Sequence, residues 1–94
     1  MFDFSVKIVE PRTQAQADRI VAHNQHLKDM ASEAVVRLRG KVQDAYYNSS
    51  GEMLDYLAQR LQKAEWAEGY LQSILAQSRV GLFYDVSIAR TETN

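Results

Sequence analysis

Two histidines are the residues of this chain best suited to binding a metal. His23 and His26 stand three apart in the stretch AHNQHLKD, and residues three apart share one face of a helix. A zinc site needs three or four ligands, whereas the sequence has two histidines and no cysteine. A zinc ion would therefore have to lie between two copies of the chain. We interpret both histidines as polar surface residues and predict no metal and no cofactor.

Patterns typical of catalysis are missing from the sequence. It contains no cysteine nucleophile, and its four glycines are too scattered to form a phosphate-binding loop. Glu68 interrupts an apolar stripe, but general acid–base catalysis needs a second group and a concave site. The alternative is a polar contact that fixes helix register, with Lys28 in reach and Asn24 in the equivalent place on the other helix. The sequence therefore predicts a protein that is not an enzyme.

A short basic cluster is the candidate for contact with nucleic acid. Arg37, Arg39 and Lys41 could contact phosphates. However, Glu33 and Asp44 lie within about one turn of it, and the chain carries a net charge of −1, which offers no overall attraction for a polyanion. A solvated helix face is the favoured interpretation of this cluster.

Three tyrosines form the best candidate for a partner-binding surface. Tyr46, Tyr47 and Tyr56 gather around the polar turn that follows Asn48. Tyrosine offers a large rigid ring with a polar tip, which makes it common at recognition surfaces. Capping of the end of the bundle is the favoured interpretation of these rings, and partner binding at this end of the fold is the functional one, for which they are the best candidates in the chain.

The hydrophobic periodicity predicts a single domain with the order strand, helix, helix, strand. Apolar residues alternate at both ends of the chain and recur every three or four residues between them. The fold class is α+β, predominantly helical: a long antiparallel two-helix hairpin flanked by two strands. The predicted ranges within the domain 1–94 are 2–9 and 81–89 for the strands, 12–47 and 51–78 for the helices, and 91–94 for a polar tail.

Capping residues and glycines mark the ends of these helices. Thr13 with Gln16, and Ser49 with Glu52, match the pattern of a capping box. A kink near Gly40 and a break near residues 23–25 are both left open for the first helix.

The second helix carries a wider apolar surface than one neighbouring helix can cover. Trp66, Tyr70 and Ile74 lie beside its leucine stripe and not within it. We predict that a second copy covers these residues, giving a homodimer with a four-helix bundle whose strand pairs join or stack at one end. A monomer whose strands fold back over this stripe, and a different partner, are the alternatives.

These observations together favour a non-catalytic protein–protein interaction module. A small adaptor, assembly accessory or inhibitor of bacterial or phage type would fit, binding itself and one unidentified protein. No stretch has the length and hydropathy of a membrane span or a secretory signal, so we expect a cytoplasmic protein.

The first 45 residues also resemble a ribbon-helix-helix DNA-binding domain. In that family a short strand and two helices form an intertwined dimer whose paired strands enter the major groove. The resemblance implies that Ser5 and Lys7 face DNA while the apolar residues of the strand face the core. It further implies a turn between two helices near residues 23–28, and a dimeric transcriptional regulator as the alternative function.

Overall fold

The computed structural model describes residues 2–48 and 50–90. It contains, in chain order, β1 (Phe2–Val9), α1 (Gln14–Asn48), α2 (Gly51–Ser78) and β2 (Phe83–Arg90). The predicted order of two long helices between two strands is confirmed. The predicted tail at 91–94 and the predicted cap at Ser49 lie outside the described residues.

Helix α1 is one continuous element of 35 residues. At 1.5 Å per residue it is about 52 Å long, close to the 53 Å long axis of the molecule. Its predicted cap is confirmed: the Gln16 N–H donates to Thr13 Oγ1 at 3.1 Å, and the Arg12 N–H donates to Gln16 Oε1 at 2.8 Å. The helix continues through Gly40 and through residues 23–28, so the turn implied by the ribbon-helix-helix resemblance does not form.

Helix α2 begins at Gly51, the first residue of the predicted range 51–78. Its N-cap is Ser50, whose Oγ accepts the N–H of Met53 at 3.4 Å. Glu52 falls in the first turn, where a carboxylate interacts favourably with the positive end of the helix dipole. Ser50 supplies this cap although the residue three places after it is Met53 and not the Glu or Gln of a capping box.

The end of α2 explains why β2 starts at Phe83 and not at residue 81. The Leu82 N–H donates to the Gln77 carbonyl at 3.1 Å, and the Gly81 N–H donates to the Ser78 carbonyl at 3.3 Å. This is the Schellman arrangement, which requires a left-handed residue just past the helix. Gly81 supplies it with φ of 90°. Residues 81 and 82 therefore belong to the helix terminus.

The two strands form an antiparallel sheet of their own chain, with Val6 opposite Val86 and Ile8 opposite Tyr84. The buried core joins one face of this sheet to both helices and consists of Leu27, Leu71, Ile74 and Val86. Phe4 and Val6 pack against it from β1. The pairing of β1 with β2 differs from the ribbon-helix-helix family, in which strands of two chains pair.

The position of Ile74 corrects one prediction. This residue is 4% exposed and belongs to the core of its own chain, beside Val86. The strands fold back over this part of α2, which was the alternative to a second copy. Ile74 is therefore not available as a dimer contact.

Candidate functional site

An open groove of about 770 Å³ runs between α1 and α2. It starts at Phe4, where β1 reaches the helices, and extends to Tyr56 near the hairpin turn. The sheet thus covers only one end of this face of the hairpin. The rest of the face forms a concave apolar surface open to solvent.

Four alanines form part of the floor of the groove, together with the buried leucines Leu27, Leu38 and Leu71. Ala31 and Ala34 line it from α1, and Ala64 and Ala67 line it from α2, each pair at a spacing of three. Side chains three apart lie on the same helix face, so each helix presents two methyl groups in line. Since alanine fills little of the space between the helices, the groove has room for the side chains of another molecule.

Stacked aromatic rings close the strand end of the groove. Trp66 and Tyr70 stack with their centroids 5.1 Å apart and their planes 12° apart, as their spacing of four predicts. The Phe4 ring lies 5.8 Å from Trp66 and 6.2 Å from Tyr70. Tyr70 is half-buried by these contacts, but Trp66 remains 59% exposed. Of the three predicted interface residues, Trp66 is the one that the chain leaves largely uncovered.

The rim of the groove carries an excess of positive charge. Arg37, Arg60 and Lys63 line it together with one acid, Glu33. The Arg60 guanidinium donates to the hydroxyl of Tyr56 at 3.0 Å and lies 5.6 Å from the centroid of that ring. These contacts hold one rim cation and one aromatic ring in place at the turn end of the groove.

The predicted basic cluster does not form a single surface. Arg37 lines the groove, whereas Arg39 lies 3.7 Å from Glu65 in an exposed ion pair. Residues two apart on a helix point in directions about 200° apart. Arg37 and Lys41 are four apart and so share a face, and Arg39 is turned away from it. Closeness in sequence therefore does not place Arg37, Arg39 and Lys41 on one helix face.

The two candidate DNA contacts lie on β1, whereas these arginines lie on α1. Ser5 and Lys7 are exposed on the side of the sheet opposite the core, and Lys7 lies across from Asp85 of β2. An acidic neighbour reduces the attraction of Lys7 for a phosphate. The candidate nucleic-acid residues are therefore distributed over separate surfaces.

The three tyrosines are divided between two places. The rings of Tyr46 and Tyr47 meet edge to face with centroids 5.1 Å apart, and both are strongly exposed at the end of α1. Tyr56 instead lines the groove, where Arg60 contacts it. Of the three predicted partner-binding tyrosines, Tyr56 is the one that lines the groove together with Trp66.

Two polar side chains of α1 fasten β2 to the helices. His23 Nε2 lies 2.8 Å from the Val86 carbonyl, and Asn24 Nδ2 donates to the Tyr84 carbonyl at 2.9 Å. Since a carbonyl can only accept, this hydrogen bond requires a proton on Nε2 of His23. Asn24 is 1% exposed, and its Oδ1 has no hydrogen-bond partner among the described residues. The sequence identified Asn24 as a buried polar residue but assigned it to the contact between helices.

The predicted polar contact of Glu68 with Lys28 does not form. Both residues are half-buried. Within the described part of the chain, residues 2–48 and 50–90, the ion pair that forms joins Arg39 to Glu65. No group of three or more histidine, aspartate or glutamate side chains in these ranges is placed to hold a metal ion. Neither α1 nor α2 combines the length and hydropathy that a membrane crossing requires.

Comparison of the chain with protein-family models, with curated proteins and with solved structures gives no match. Functional inference therefore depends on the geometry of the groove, its aromatic end and its charged rim.

Proposed function

We propose that this protein is a non-catalytic protein–protein interaction module that binds a helical segment of another protein in the groove between α1 and α2. It acts as a homodimer in which two hairpins supply four helices. A small adaptor, assembly accessory or inhibitor would work in this way.

The groove is the observation that carries the proposal. It combines an alanine floor, an exposed indole at one end and an exposed phenol at the other. Burying an aromatic side chain fully stabilises a complex by roughly 2–3 kcal/mol. Because Trp66 is 59% exposed, more than half of that free energy, about 1–2 kcal/mol, is left for a binding partner. Exposed aromatic residues beside an apolar depression are typical of interaction hot spots.

The charges of the rim define the chemistry of the partner. With Arg37, Arg60 and Lys63 against Glu33, the rim has an excess of two positive charges. A helix with an apolar stripe and acidic flanks would satisfy both the floor and the rim. A second hairpin placed face to face would instead bring two such rims together. The groove therefore suits a different protein better than a second copy, and the homodimer contact is expected elsewhere.

Trp66 makes the proposal directly measurable. It is the single tryptophan of the chain, and it lies at the end of the groove. We suggest titrating the protein with a synthetic amphipathic helix that has leucines on one face and glutamates on its flanks. Binding should shift the indole emission to shorter wavelength as water leaves the ring. A matched peptide with lysine flanks is the control and should give a much weaker response.

Charge reversal on the rim provides the matched variants. Lys63→Glu should weaken binding of the acidic peptide, and Tyr56→Ala should weaken it while leaving the protein folded. Arg19→Glu, an exposed change outside the groove, should leave affinity unchanged. Equal binding of both peptides, or the same affinity for Lys63→Glu and Arg19→Glu, would refute the groove as the partner site.

The homodimer is tested separately by light scattering of the purified chain. The expected mass is twice that of one 10.7 kDa chain. A mass of one chain across the accessible concentration range would refute self-association.

A further inference from the structure

One edge of the sheet is covered by helix α1. The carbonyls of Tyr84 and Val86 accept hydrogen bonds from Asn24 and His23. Polar main-chain groups of alternate residues in a strand point to the same edge. The N–H and C=O groups of Tyr84 and Val86 therefore point away from β1 and towards α1. This edge of β2 is protected by a helix.

The opposite edge of the sheet, along β1, lacks such a cover. Val6 and Ile8 lie opposite Val86 and Tyr84. In an antiparallel pair, two opposed residues direct their polar groups either towards each other or both away. The main-chain N–H and C=O groups of Tyr84 and Val86 point away from β1. Those of Val6 and Ile8 therefore point away from β2, towards the open edge of the sheet. The sheet has two strands, and no helix of the described chain runs beside β1.

An uncovered edge of eight residues is a template for another strand. We propose that β1 binds β1 of a second copy in antiparallel orientation, about a two-fold axis at Ser5, so that two sheets join into one of four strands. This inference rests on the homodimer of the proposed function and specifies its contact. The strand order becomes β2-β1-β1-β2, with all four helices on one face.

The charges of β1 select this register. A symmetric pair places residue i opposite residue j and j opposite i, so each register is centred on one residue. Centring on Ser5 places Asp3 of each copy opposite Lys7 of the other, which gives two pairs of opposite charge. Centring on Lys7 places two lysines against each other. Centring on Phe4 or Val6 gives Lys7 no acidic residue opposite it.

The same register continues the apolar face of the sheet across the two-fold axis. Ile8 is 75% exposed, although it shares a strand face with Phe4 and Val6, which pack on the core. In the Ser5-centred pair, Phe4 lies beside Val6 of the second copy. Since Phe4 also contacts Trp66 and Tyr70, the aromatic clusters of both copies would approach the axis.

A single cysteine tests the register, because the chain has none of its own. The main-chain polar groups of Val6 point to the open edge of the sheet, so those of the adjacent Ser5 point towards β2. The two Ser5 residues of the dimer therefore form a non-hydrogen-bonded pair. Such pairs have Cα atoms about 4.5 Å apart, within the range of a disulfide. Ser5→Cys should therefore give a covalent dimer on mild oxidation. Lys7→Cys is the control, because the two Lys7 residues would be about 13 Å apart.

A charge exchange tests the pairing without a covalent bond. Asp3→Lys and Lys7→Asp should each raise the dissociation constant of the dimer about tenfold at low salt, because each places like charges opposite one another twice. Since residue 7 also lies opposite Asp85 in its own sheet, the triple variant Asp3→Lys, Lys7→Asp, Asp85→Lys should restore the original value. Sedimentation equilibrium measures these constants, and circular dichroism confirms that each variant is folded.

The outcomes separate this inference from the proposed function. A dimer that persists while Ser5→Cys stays reduced would overturn the β1 contact and leave the homodimer intact. Cross-linking of Lys7→Cys in place of Ser5→Cys would overturn the register. A chain that stays monomeric would overturn both the contact and the homodimer.

Discussion

Replacing Asn24 with aspartate tests the contact on which the arrangement of sheet and helices depends. Asn24 is 1% exposed, and its Nδ2 donates to the Tyr84 carbonyl at 2.9 Å. Asn24→Asp keeps the shape of the side chain but places a carboxylate where the donor was. A buried charge without a partner and a lost hydrogen bond together should lower the free energy of unfolding by about 3–5 kcal/mol at pH 8. That is a large part of the roughly 5–15 kcal/mol available to a small domain.

The loss should depend on pH in a defined direction. Burial raises the pKa of the introduced carboxyl above its unfolded value of about 3.9. The folded variant then binds its proton more tightly than the unfolded chain, so its stability rises as the pH falls through the folded pKa. The protonated acid can also donate to the Tyr84 carbonyl. Between that pKa and the unfolded value of about 3.9 the difference from the native protein should shrink by about 1.4 kcal/mol per pH unit, and it should not change further at lower pH.

Urea unfolding followed by circular dichroism at pH 8 and pH 5 measures both effects. Ala22→Asp is the matched control, since position 22 is exposed on the same helix. It should lower stability by no more than about 1 kcal/mol, with no comparable recovery at low pH. If both variants behave alike, the side chain of residue 24 is in water. The hydrogen bond to β2, and with it the deduction that the β1 edge is open, would then be wrong.

Three further substitutions test the packing and the ends of α2. Leu71→Ala removes a side chain that is 0% exposed and should lower the free energy of unfolding by about 2–5 kcal/mol in the same urea assay. Gly81→Ala forces a left-handed conformation on a residue with a Cβ and should lower the free energy of unfolding by about 1–2 kcal/mol. Gly69→Ala, with nothing near its added methyl, should raise the free energy of unfolding by up to about 1 kcal/mol. Equal effects at the two glycines would contradict the left-handed conformation of Gly81. Ser50→Ala removes the N-cap of α2 and should lower the melting temperature by an amount that corresponds to about 1 kcal/mol.

The elements of this fold could be predicted because each depends on neighbouring residues in the chain. The alternation in β1 and the three-and-four spacing in both helices predicted their type, and the cap at Thr13 was placed correctly. Errors arose where the local pattern and the observed contact differ: the capping-box pattern selects Ser49, whereas the Ser50 hydroxyl caps α2. They also arose where a terminal motif extends beyond the helix, as it does at Gly81.

The candidate site was predicted less completely. Tyr56 and Trp66 were selected from their residue types, and both line the groove. The alanine floor was not predicted, because small residues in a helical stripe carry the same pattern as a packed helix interface. Arg60 and Lys63 were not singled out either, since their joint position with Arg37 depends on how the two helices align.

The sequence alone determined the types of the elements, their order and the apolar excess of α2. Only the tertiary structure decided which surface covers that excess: Val86 reaches Ile74, and His23 bonds a carbonyl 63 residues away. Local periodicity reports how a segment folds, because its information lies within a few residues. It cannot report which distant segment a face will contact, because that depends on the free energy of packing the whole chain.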